Sequence, residues 1–231
     1  RVIGPEKDLV LDEAPSGIPE HWQIKPISTL CPNCGNALKG GRESILLFCT
    51  SCQVAWNPSS GRLEASKFEV VPGKRDSSVY LPFWRMRVAV KGITLKSYAD
   101  LGRVANLPKM IHSEWEGQEV YFWIPAFRVP SSLFLRLSKQ MTLSQPAEMT
   151  EAVLPNALLH PVTFSEENAA ASLKIHLARL LTKKRDYFPK LHEITIGPVE
   201  STLVFIPFTP TGSELVHPQF GIGLHRQTLS L

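Results

Sequence analysis

The sequence has no apolar run near the roughly 20 residues that span a bilayer, and no secretory leader is visible in it. It begins at Arg1, so an upstream targeting or anchoring segment stays open, and a cytoplasmic location is the expectation. Cysteine is absent from the whole stretch after Cys52. A framework of disulfides across the fold is therefore excluded for most of the chain. GxSxG, HExxH, the Walker phosphate loop and GxGxxG are all missing, and nothing else supports a reaction, so the expectation is that the protein is not an enzyme. His160 and His217 each precede a proline. They read as turn entries rather than metal ligands, because no second ligand lies near them in sequence.

What is present is a chain of 231 residues, 43% hydrophobic and 20% charged. That suits a medium domain plus a small module. The 19 prolines argue for edge strands and irregular connections rather than long helices. The net charge of +4 is unevenly spread: residues 1–30 carry −2, residues 31–92 carry +5 and residues 93–231 carry +1. Four thiolates on a divalent metal would reduce the middle value to about +3. This is a mild preference for an anionic partner, far weaker than the basic stripe of a nucleic-acid binder.

All four cysteines lie in CPNCGNALKGGRESILLFCTSC, from Cys31 to Cys52. As disulfides they would suit a secreted chain. Without a leader or any later cysteine, the spacing C-x2-C-x14-C-x2-C points instead to tetrahedral metal binding by Cys31, Cys34, Cys49 and Cys52. Cys31-Pro32-Asn33-Cys34-Gly35 is a complete knuckle: the proline sets a turn and the glycine accepts a left-handed backbone, which aims N–H groups at the sulfurs. In Cys49-Thr50-Ser51-Cys52-Gln53 a glutamine replaces that glycine, which predicts the same geometry under some strain. Lys39–Arg42 reads as a hairpin turn, Ile45–Phe48 and Val54–Trp56 as strands, and Arg62–Ala65 as a strand pairing back.

This pattern resembles a zinc ribbon, the rubredoxin-like family of small modules, over residues 29–70. A four-cysteine shell has no open position, so one structural Zn2+ is expected. Iron in the same shell, giving an electron carrier, is the alternative. Rubredoxins usually carry CPxCG on both knuckles, and the departure at Gln53 favours zinc. The ribbon followed by Tyr80-Leu81-Pro82-Phe83-Trp84 is similar to bacterial zinc-ribbon proteins of uncharacterised function, and that likeness transfers no activity.

The aromatic–proline segment occurs three times: around Pro82, around Pro125 (Tyr121-Phe122-Trp123-Ile124-Pro125-Ala126-Phe127) and around Pro207 (Phe205-Ile206-Pro207-Phe208). Continuous aromatic and β-branched runs read as buried strands with the proline at an edge or bulge. An aromatic platform for bases or a peptide is the competing reading. As core strands, Tyr80, Phe83, Trp84, Phe122, Trp123, Phe127, Phe205 and Phe208 should be shielded, with Trp84 or Trp123 the first to be exposed by strand alternation.

Helices are expected from Ser97 to Asn106, capped by Ser97 and Asp100, and after Ser131-Ser132, with Leu133, Phe134, Leu137 and Met141 on one face. A third should start at Ser165, with Ala170, Leu173, Leu177, Leu180 and Leu181 inward and Lys183, Lys184 and Arg185 in its last turn. His176 flanks the apolar face of that helix. From Ile194 to Leu229 the pattern returns to strands.

The resulting expectation is an α+β chain. An extended segment over 1–28 leads into the ribbon at 29–70. A β-rich body over 77–231 follows, with two or three helices, its own core, and two related halves at 77–146 and 150–231. Its expected role is as a non-enzymatic binding or scaffold component of a larger assembly, with another protein as partner. Nucleic acid bound through the basic ribbon region is the alternative. The sequence carries no signal for an oligomeric state.

Overall fold

The computed structural model describes residues 27–58, 61–73, 78–107, 110–146, 150–217 and 219–229. The extended segment expected over 1–28 falls almost wholly outside them. The described residues form a mixed α+β architecture with two sheets. The first sheet joins β1 (Leu47–Cys49), β2 (Val54–Asn57) and β3 (Glu64–Ser66) in antiparallel order. This is the strand pattern expected after the hairpin at residues 39–42.

The larger sheet is organised by two long antiparallel strands, β5 (Val79–Lys91) and β8 (Thr195–Thr211). Its other members are β4 (Phe68–Val70), β6 (Tyr121–Pro125), β7 (Leu158–Leu159), β9 (Glu214–Val216) and β10 (Gly223–His225). β6 and the short β7 lie along one side of β5, and β4 and β9 along the far side of β8. Arg87 pairs with Glu200 and Val88 with Pro198. Val199 is thus an extra residue on β8, and it projects into solvent at 56% exposure.

The three prolines of the repeated segments share a position in the hydrogen-bond pattern. Successive residues of a strand direct their backbone groups to opposite sides. The Tyr80 carbonyl accepts from His160 N–H beside β7, and the Pro82 carbonyl accepts from Ala126 N–H beyond Pro125 in β6. Pro82 therefore places its missing donor at the seam where β7 gives way to β6. The Ala126 carbonyl opposite it accepts from the N–H groups of Thr163 and Phe164 instead, which brings in the chain that enters the third helix. Pro207 does the same on β8. Its nitrogen faces the gap between β4, whose pairing ends at Phe205, and β9, whose pairing begins at Thr209. Pro125 faces the outer edge of β6. Each proline thus lies where no ladder bond is lost.

Both faces of the central strands are covered. On one, Tyr80, Trp84, Met86, Phe122 and Phe205 pack with Ala169, Leu173, Leu177 and Leu180 of α3 (Glu166–Leu180). On the other, Leu81, Phe83, Trp123, Ile206 and Phe208 pack with Leu133, Leu137 and Met141 of α2 (Ser131–Ser144). The eight aromatics expected in the core are all buried, while Tyr121 of the second segment is half-buried. Neither Trp84 nor Trp123 is exposed, contrary to the alternation argument, because a strand packed on both faces needs apolar side chains at every position. The Trp84 indole N–H donates to the Phe164 carbonyl at 2.9 Å and so loses no hydrogen bond on burial.

Helix α1 (Tyr98–Ala105) has the expected capping box between Ser97 and Asp100, and it closes on Asn106 in the left-handed region. Helix α2 begins one residue earlier than its serines imply. Pro130 takes the cap position without a side-chain bond, so Ser131 and Ser132 lie in the first turn. Ser165 caps α3 as expected, accepting from Asn168 N–H. α3 ends at Leu180, however, because Leu181 has an extended backbone. Lys184 and Arg185 therefore open a separate single turn, α4 (Lys184–Tyr187), which makes four α-helices among the described residues where two or three were expected.

The cysteine segment contributes to the same core. Leu46, Phe48 and Ala55 belong to the cluster that contains Phe68 and Phe205. The Phe48 ring meets Phe68 and Phe205 edge-on at 5.8 and 5.5 Å.

Candidate metal centre

The first knuckle is the loop closed by the pairing of Leu30 with Ala37, and the second is the turn between β1 and β2. In the first, Gly35 takes φ +74° and its N–H returns to the Cys31 carbonyl at 2.8 Å. In the second, Gln53 takes φ +57° and its N–H returns to the Cys49 carbonyl at 2.9 Å. The glutamine thus reproduces the glycine's conformation, as its position predicts. The Asn36 amide donates to the Ser51 hydroxyl at 2.7 Å and ties one knuckle to the other. Trp56 packs against Cys31 and Cys49 beneath the cluster.

The four sulfurs lie within 4.8 Å of one another. Cys31 and Cys52 Sγ are 4.0 Å apart, and Cys34 and Cys49 Sγ are 3.5 Å apart. All four cysteines are free thiols, so the disulfide alternative does not hold. A tetrahedron built on metal–sulfur bonds of about 2.3 Å has sulfur–sulfur edges of about 3.8 Å. The donor set and its spacing therefore fit one four-coordinate ion.

The thiols also interact strongly with one another. Burial raises the pKa of Cys31, but backbone N–H groups of Asn33 and Cys34 and the neighbouring thiols outweigh it and bring the value down to about 6. Cys52 is pushed up to about 12, first by its hydrogen bond with Cys34 and then by burial. Four thiolates at this spacing repel one another, and a bound cation removes that conflict.

Several residues that tie this segment to the body have no signature in the sequence. The Gln53 side chain accepts from Leu154 N–H at 2.6 Å and donates to the Thr50 carbonyl at 2.7 Å. Ile45 N–H donates to the Val162 carbonyl at 2.8 Å, and Glu43 pairs with Arg128 at 3.2 Å. The side-chain bonds of Gln53 offset its left-handed backbone. Gln53→Ala keeps the unfavourable φ and strands the Leu154 N–H, so it should cost about 1–3 kcal/mol. Gln53→Gly strands the same group but relieves the backbone, and it should recover about 1 kcal/mol of that loss. Denaturant unfolding of the two variants tests this order, and equal midpoints would contradict it.

No helix among the described residues is long and apolar enough to cross a membrane. No family model matches this chain, and no curated protein or solved structure is similar to it at a significant level.

Proposed function

We propose that Cys31, Cys34, Cys49 and Cys52 hold one zinc ion and that residues 29–70 are a zinc ribbon with a structural role. The observation that carries this reading is the convergence of four free thiols within 4.8 Å on two knuckles of the same backbone form. When bound, the ion supplies a tetrahedral crosslink. Four protein ligands leave it no position for water or substrate. The chain's own residues fix the two loops: Gly35 and Gln53 close them, and Asn36 joins them.

On this reading the protein is a non-enzymatic binding or scaffold component whose partner is another protein. The arginines of the repeated strands support a protein partner over a phosphate backbone, because carboxylates already meet them. Arg85 pairs with Glu69 at 3.0 Å, Arg87 with Glu200 at 3.4 Å and Arg128 with Glu43 at 3.2 Å. Elemental analysis of the purified protein should find one zinc per chain, lost in Cys49→Ser. A coloured protein with stoichiometric iron would replace this reading with electron transfer. Binding to DNA or RNA that weakens steeply with salt would replace the protein partner with nucleic acid.

A further inference from the structure

Lys183, Lys184 and Arg185 fall outside α3, so they are not the cations that complement the C-terminal end of its dipole. They open α4 instead, where Lys183 takes the cap position without a side-chain bond. Cations at the start of a helical turn meet the positive ends of its peptide dipoles, so local helix chemistry gives no reason for them there. A 3₁₀ turn (Phe188–Lys190) follows directly and adds Lys190. Tyr187 and Leu191 pack against the core. Thr182 fastens the segment to α1: the Val104 carbonyl accepts from its N–H at 3.3 Å and from its hydroxyl at 3.1 Å. Between these anchors Phe188 faces solvent, with its ring 45% exposed. The Lys184 ammonium lies over that ring, 5.7 Å from its centre, so cation and ring project on the same side. Lys183, Lys184, Arg185 and Lys190 are all exposed, and none is in an ion pair among the described residues. The acidic groups of the segment are Asp186 and Glu193, and Glu193 faces His192 at 3.5 Å.

We propose that the segment Lys183–Lys190 docks the protein on an anionic lipid surface. The Phe188 ring enters the boundary between headgroups and acyl chains, while Lys183, Lys184, Arg185 and Lys190 meet the lipid phosphates and carboxylates. Apolar ring surface gains free energy on leaving water, and cations without protein partners are drawn to a negative leaflet. The long lysine stems let each ammonium stay at headgroup level while the ring goes deeper. The attachment is peripheral and reversible: the protein lies on the bilayer and does not span it. A nucleic acid suits the segment less well. Single strands are held by a groove with successive stacking rings, whereas this turn offers one ring, and Lys184 stands over a face that a base would need. The proposal does not depend on the metal.

The test is sedimentation of the full chain with vesicles of phosphatidylcholine and phosphatidylserine, and with vesicles of phosphatidylcholine alone. The chain should bind the anionic vesicles only, and added salt should weaken that binding. Phe188→Ala should weaken it about tenfold, the worth of burying a phenyl side chain, and Phe188→Trp should restore it. Arg185→Ala should weaken it about fivefold, as one lost cation near the surface implies. Lys39→Ala is the control for overall charge. Lys39 is exposed and lies beside β7, which pairs with the first residues of β5, whereas Ile194, which follows the docking segment, lies against Gly92 just past the last residue of β5. That variant should bind as the native chain does. All four positions are exposed, so the variants keep the fold. Failure to bind the anionic vesicles, equal binding to both kinds, native affinity in Phe188→Ala, or an equal loss in Lys39→Ala and Arg185→Ala would each overturn the proposal. So would a single-stranded oligonucleotide that binds more tightly than the vesicles and loses its affinity in Phe188→Ala.

Discussion

Replacing Cys34 by Ser is expected to destabilise the entire chain and not the cysteine segment alone. Cys34 is exposed, so the substitution removes little packing and reports on the proposed zinc. A structural zinc contributes on the order of 10 kcal/mol, comparable to the roughly 5–15 kcal/mol that holds an ordinary domain together. The loss spreads because the segment's own residues are part of the body's core. Phe48 sits edge-on against Phe68 and Phe205, and Leu46 and Ala55 share their cluster. If β1 and β2 lose their anchor, these contacts go with them, along with the bonds from Ile45 to Val162 and from Gln53 to Leu154. Thermal unfolding followed by near-ultraviolet circular dichroism should show one transition at a much lower temperature, and chelation of the native chain should reproduce it. Two transitions, with the body's midpoint unchanged, would show that residues 77–231 are stable without the segment.

Truncating Phe83 to Ala is expected to cost about 3–5 kcal/mol, the range for deleting a buried phenyl ring. Phe83 has no solvent exposure. Its ring meets Phe127 edge-on at 5.7 Å and lies nearly parallel to Phe208, 6.3 Å away. Its backbone is paired on both sides, with Val204 and with Pro125. One ring therefore joins all three repeated segments, and no neighbour can collapse into its place without disturbing a strand. Phe188→Ala is the matched control: that ring is 45% exposed, and its loss should change stability by less than about 0.5 kcal/mol. Urea unfolding of both variants checks the contrast. An unchanged midpoint for Phe83→Ala would revive the reading of these aromatics as a binding platform.

The parts of the fold legible in the sequence are those written in short-range chemistry. Ser97 with Asp100, and Ser165 three residues before Asn168, mark helix starts because a cap needs only its own turn. The paired cysteines are legible because each knuckle is five residues long. What stayed hidden depends on distant partners. Val70 pairs with Phe205, placing β4 in the large sheet although it lies within residues 29–70. Trp84 and Trp123 are covered by helices on opposite faces, and no strand pattern states how many layers will pack on it. Gln53 and Gln145 both adopt φ above +40°, against the preference of their side chains. Their justification is tertiary. Gln145 donates to the Tyr121 carbonyl at 2.6 Å and accepts from Tyr121 N–H at 3.0 Å, just as Gln53 reaches Leu154. His176 was legible as a residue flanking an apolar face, whereas its lack of a hydrogen-bond partner among the described residues is visible only once α2 packs beside it.

The outer edge of β6 bears on how another protein could join this one. A strand at the margin of a sheet normally offers a row of donors to which a second chain can add itself. Here Tyr121 N–H is taken by Gln145, Trp123 N–H by the Thr142 hydroxyl at 3.1 Å, and Pro125 has no donor. Every outward N–H position of β6 is thus closed by its own chain. β-Augmentation at this margin is barred, both to a foreign peptide and to a second copy of the protein. A partner that approaches this side must recognise side chains, so its selectivity will be encoded in surface chemistry rather than in the backbone's readiness to extend.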